Sequence, residues 1–145
     1  MIKLNFVCVG NLKETFFKDA VKEYLKRLSR FCSAEVKELA EKKNPEEEAD
    51  EILRALKGYV IALAVEGKKC SSEAFAKKIA TLTDRGEEIT FVIGSSEGLS
   101  DRVKERADEL LSFSDMTFPH RLMRVILLEQ VYRAFMINAG AKYHK

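Results

Sequence analysis

"LSFSDMTFPHRLMRVILLEQVYRAF", residues 111–135, changes character twice. Its first part interleaves Phe113, Met116 and Phe118 with Ser112, Ser114 and Thr117, then meets Pro119. Alternation over 110–114 predicts a strand, and Pro119 forbids its continuation because it has no N–H to give a ladder. A helix is expected from about 119 to 139, closed by Gly140. Leu122, Met123, Val125, Ile126, Leu127, Leu128, Val131, Phe135, Met136 and Ile137 surround that helix almost completely. A helix apolar on all sides is buried on all sides. In so small a chain the extra cover comes most economically from a second copy, so a homodimer is expected.

Upstream, strands alternate with helices. Strands are expected at 2–9, 34–39, 59–65 and 88–94, and helices near 14–30, over "NPEEEADEILRALKG", over "SSEAFAKKIATLTDRG" and at 101–109. Asn44 reads as an N-cap with Pro45 behind it, Glu46, Glu47 and Glu48 at the positive end of the dipole, and Gly58 as the stop. Ser71 or Ser72 caps the third helix and Gly86 closes it. "YVIALAV" and "EITFVIG" are continuous apolar runs, as in strands covered on both faces. The chain is therefore expected to be a single α/β domain, residues 1–145, with a mostly parallel sheet and helices on both faces.

The 145 residues are 46% hydrophobic and 33% charged, a globular balance. No apolar run approaches the roughly 20 residues of a membrane span. "MIKLNFVCVG" reads as a strand rather than a secretion signal. Cys8, Cys32 and Cys70 lie far apart with no CxxC spacing, which suits a reducing cytoplasm and argues against a metal or disulfide framework. The net charge of +2 divides into +4 over residues 1–43, −5 over 44–114 and +3 over 115–145. Basic ends suit an anionic partner, though a chain living on phosphate attraction alone is usually more basic. Lys18, Lys22 and Lys26 share one face of the first helix.

In open α/β sheets ligands bind beyond the carboxyl ends of the strands. There lie "AVEGKK", "IGSSEGLS" and "SDMTFPH". Gly94 and Gly98 allow close approach of a ligand to backbone, but the loop carries neither GxGxxG nor a P-loop. Glu129 and Arg133 are i,i+4 neighbours, serving either an interface ion pair or a phosphate contact. His120, at a helix start, reads as local structure, and His144 lies in a tail expected to be free.

"FVIGSSEGL", "LSFSDMTFPHRLMRVILLEQVYRAF", "YHK" and the N-terminal "VGNLKE…YLKRL" closely resemble the RlmH family of SPOUT-class methyltransferases, over the whole chain. The resemblance implies a homodimer whose C-terminal part is tied in a deep trefoil knot. It implies S-adenosyl-L-methionine (SAM) as cofactor, with no metal. The implied activity is methylation of N3 of a pseudouridine in large-subunit (23S) ribosomal RNA, with the assembled ribosome as substrate. Carried onto this sequence, Leu63, Gly94, Phe113, Ser114, Asp115, Met116, Thr117 and Phe118 form the cofactor pocket. Tyr143, His144 and Arg133 are the candidates for the target base and its phosphates, with His144 as a possible acceptor of the imide proton. A Val at Gly94 would on this reading fill the adenosine space and spare the fold. Ser95 stands where the family commonly has a second glycine, and Lys142 where it commonly has proline; these departures would restrict the turn and loosen the tail. A non-enzymatic ribosome-associated RNA-binding dimer with the same fold is the alternative; it would not bind SAM stoichiometrically.

Overall fold

A computed structural model describes all residues, Met1–Lys145. Five strands, β1 (Ile2–Val9), β2 (Cys32–Leu39), β3 (Tyr59–Lys69), β4 (Ile89–Ile93) and β5 (Glu109–Ser112), form one sheet in the order β2-β1-β4-β3-β5. Every strand pairing is parallel. The connecting helices are α1 (Thr15–Leu28), α2 (Pro45–Ala55), α3 (Ser72–Asp84) and α4 (Asp101–Arg106), with α5 (His120–Asn138) closing the chain.

Side-chain alternation along the strands feeds two cores. Leu4, Phe6, Phe91 and Ile61 face α1, α3 and α5, whereas Val7, Val9, Val60 and Val92 face α2 and α4. Both faces are thus covered, as parallel sheets require. The expected caps form: the Asn44 side chain accepts from Glu47 N and that of Ser71 from Ala74 N.

Several element ends differ from the sequence reading: β2 begins at Cys32 rather than 34 and β5 stops at Ser112 rather than 114, and larger shifts occur at α2, α4 and β3. α2 stops at Ala55, before Gly58, because the backbone N–H and carbonyl of Lys57 are both held by the buried Thr90 hydroxyl, at 3.2 and 2.6 Å. Gly58 serves a close approach instead, since a Cβ there would stand 1.9 Å from the Glu88 carbonyl oxygen. α4 ends at Arg106 because Asp108 is drawn onto β3, accepting from Val60 N at 2.8 Å through its carboxylate. β3 runs on to Lys69, with its pairing to β5 interrupted between Leu63 and Lys68.

α5 is not buried all round within one chain. Leu127, Leu128, Val131, Ala134 and Phe135 are buried and Val125 and Met136 pack partly against the same core, while Leu122 and Ile126, one turn apart, form a half-buried outer stripe that joins neither core.

Candidate functional site

Where the β3–β5 ladder breaks, β4 ends and β5 gives way to the loop before α5, the chain encloses a cavity of about 620 Å³. That is within the usual range for a small-molecule site. The ladder break frees the backbone of Ala64 and Val65, which line it. Backbone donors and acceptors are therefore available among apolar walls, the combination that a purine and a short polar tail need.

Leu63, Gly94, Phe113, Ser114, Met116, Thr117 and Phe118 all line this cavity. Asp115 does not. Its carboxylate is 83% exposed and pairs outward with Lys69. The Ser114 hydroxyl accepts from Met116 N at 3.0 Å, so it shapes the loop. Met116 is 73% exposed at the mouth although it reaches the lining.

Gly94 has a role other than ligand approach. A Cβ there would lie 2.5 Å from the carbonyl oxygen of Gly98 and 2.9 Å from Leu99 Cδ2. The two glycines of this loop face each other across a tight turn, in which Gly98 N donates to the Ser95 carbonyl at 2.9 Å. Ser95 itself imposes no strain, since no non-glycine residue has positive φ. Gly94→Val is therefore expected to disturb the turn as well as the cavity, lowering stability by about 1–3 kcal/mol. Thermal unfolding checks this; an unchanged melting temperature would contradict it.

Sequence reading missed His120, which lines the same cavity. Its Nε2 is buried with no hydrogen-bond partner. Burial first, and then the charge of Arg121, hold its pKa below the ordinary 6.5. The folded state thus prefers neutral imidazole. Its stabilising contribution is complete above about pH 6.5 and is lost as pH falls towards the depressed value, because the unfolded chain takes up the proton first. His120→Asn is expected to flatten the fall in melting temperature between about pH 7 and pH 5. Parallel pH profiles for the two proteins would contradict that.

The tail is docked, not free. Tyr143 stands edge-on to Tyr132 with ring centroids 5.0 Å apart, lies under the Arg133 guanidinium, and donates to Glu129 at 2.6 Å. That carboxylate helps push the Tyr143 pKa up to about 12. Glu129 also accepts from Arg133 at 2.7 Å, the expected i,i+4 pair. Arg133 can only donate, so its bond to His144 Nδ1 at 3.1 Å leaves the proton on Nε2, which donates to Glu73. Docked in this way, His144 has no free lone pair.

Tyr143, His144 and Arg133 thus sit together, but none lines the cavity. Thirteen helical positions separate His120 from Arg133, about 20 Å along α5. Arg124 is committed elsewhere: it is 1% exposed, donates to Glu38 at 2.5 Å and to the Gly10 carbonyl at 2.9 Å, and so fastens α5 to the ends of β1 and β2.

A family model described as a predicted SPOUT methyltransferase matches residues 2–144. The chain belongs to the SPOUT methyltransferase family. Curated relatives named ribosomal RNA large subunit methyltransferase H align over their whole length and 99% of this chain. The protein from Levilactobacillus brevis is 51% identical and that from Lactobacillus acidophilus 49%. Among solved structures, a probable methylase family protein from Haemophilus influenzae superposes with a TM-score of 0.65 at 10% identity, covering 98% of this chain and 70% of its own. A putative methylase family protein from Neisseria gonorrhoeae does so at 0.51 and 10%, covering 90% and 81%. These two structures share the fold of this chain.

Proposed function

We propose that this SPOUT-family chain is a homodimeric methyltransferase of large-subunit (23S) ribosomal RNA that uses SAM, with N3 of a pseudouridine on the assembled ribosome as its target. The observation that carries the reading is the cavity beneath the 113–118 loop, apolar in its walls and edged by unpaired backbone at the β3–β5 break. Full-length relatives named for ribosomal RNA methylation supply the substrate. A ribosomal substrate would place the protein in the cytoplasm.

The residues present fit the cofactor. Leu63, Phe113, Phe118 and Met123 wall the space, and Gly94 with Ser95 closes its floor. Bound there, SAM supplies an electrophilic methyl group. The chain's own task is to hold the target base in line with that methyl and to relieve the attacking nitrogen of its proton. Within one chain the tail lies far along α5 from the cavity, so Tyr143 and His144 would complete the site of the other subunit across the dimer. There His144, released from Arg133 and Glu73, regains a lone pair for the imide proton, while Tyr143 offers a face for the base. The trefoil thread of the fold class belongs to the same proposal. Gly67, whose Cβ would come within 2.7 Å of the Leu110 backbone, lets residues 64–69 pass close against β5 as such a thread requires.

Mapping ribosomal RNA in cells lacking this protein tests the reading. One pseudouridine of the large subunit should lose its N3 methyl group and regain it on complementation. An unchanged methylation map would overturn the reading.

A further inference from the structure

The first turns of α5 separate two cavities. His120 lines the main one; Arg124, one turn on, lines a groove of about 320 Å³ between α1 and the edge strand β2. Val21, Leu25 and Val36 give the groove apolar walls, and Lys18 and Lys22 stand along it. Four helical positions place these two lysines about 6 Å apart along the axis, comparable to the separation of successive phosphates on a strand. Neither forms an ion pair, whereas Glu23 on the outer side of α1 is held by Arg27. Asp19 also lies outside the groove lining.

The lone carboxylate of the groove is already engaged. Glu38 accepts from Arg124 at 2.5 Å and from Leu12 N at 3.1 Å. With the Arg124 guanidinium tied to Glu38 and Gly10, the charge left free along the groove is that of Lys18 and Lys22, which favours an anion with several acceptor oxygens. It also lies apart from the outer stripe of α5. Tyr24 and Arg27 turn the other flank of α1 towards Tyr132 and Glu129 of α5.

We propose that this groove binds backbone phosphates of the substrate RNA, with Lys18 and Lys22 as its cations, and so docks the strand beside the methyl-transfer cavity. The proposal rests on the RNA-methylating reading. Its energy is sequence-independent and salt-sensitive.

The test compares wild type with K18E/K22E, with the rescue variant K18R/K22R, and with K3E/K57E, which makes the same charge change at exposed lysines by the amino ends of β1 and β3. Binding of a short single-stranded RNA is titrated at several salt concentrations, and methylation of unmodified ribosomes is followed alongside. K18E/K22E should lose about tenfold or more in RNA affinity, with the salt slope reduced by about two. KM for ribosomes should rise while kcat and SAM affinity hold, and the arginine variant should behave as wild type. Equal RNA affinity and slope in K18E/K22E, an equal loss in K3E/K57E, or a wild type that binds no RNA would each overturn the groove. If the lysine effect on RNA appears but wild type methylates no ribosomal RNA, the groove stands and the functional reading falls.

Discussion

Removing Tyr143, His144 and Lys145 is expected to leave SAM affinity within a few fold and to cut methylation of ribosomes by about 100-fold or more. The first half follows because no tail residue lines the cavity. The second follows from the chemistry the tail carries: an aromatic face, an imidazole and a cation. The docked arrangement sharpens the expectation. His144 is held between Arg133 and Glu73, so a role as proton acceptor requires the tail to leave this position. Truncation also uncovers Glu129 and one face of the buried Tyr132, so a modest loss of stability is expected, which a melting curve monitors. Single-turnover methylation measures the effect. A wild-type rate in the truncated protein would remove the tail from the chemistry. The search would then turn to Glu129 and Arg133, since Arg124 is spent on Glu38 and Gly10.

Ile126→Asp is expected to convert the protein to monomer at micromolar concentration, with its fold kept and methylation lost. Ile126 is half-buried on the outer stripe of α5, where a carboxylate is tolerable in one chain but costs several kcal/mol in a dry interface. Phe135→Asp tests something else. Phe135 is buried within the chain and stacks on Phe31 with centroids 5.4 Å apart, so that change should unfold the monomer itself. Sedimentation decides the first case. A wild-type monomer, or an Ile126→Asp dimer, would contradict an interface through this stripe.

The order of strands and helices was legible in the sequence because the buried strands β3 and β4 are apolar runs of strand length and α2 and α3 carry their capping residues. Asn44, Ser71 and Pro119 did locally what their types predict. Misplaced ends occurred where a distant side chain overrode local signals, as Thr90 does at Lys57 and Asp108 at Val60. The cavity was legible in the hydroxyl-and-Phe loop, except that Asp115 turns out to Lys69, a choice no spacing encodes. Gly94 and Gly98 were read as room for a ligand, whereas they make room for each other, a choice their spacing does not encode. The partnership of Arg124 with Glu38, 86 residues apart, has no sequence signature.

Methyl transfer can be watched directly. Purified protein is incubated with SAM labelled in its methyl group and with ribosomes from cells that lack this protein, and the label is then mapped. Label is expected on N3 of a single pseudouridine of large-subunit RNA, approaching one methyl per ribosome. Ribosomes left unlabelled by a folded, SAM-binding protein, or label confined to another position, would contradict it.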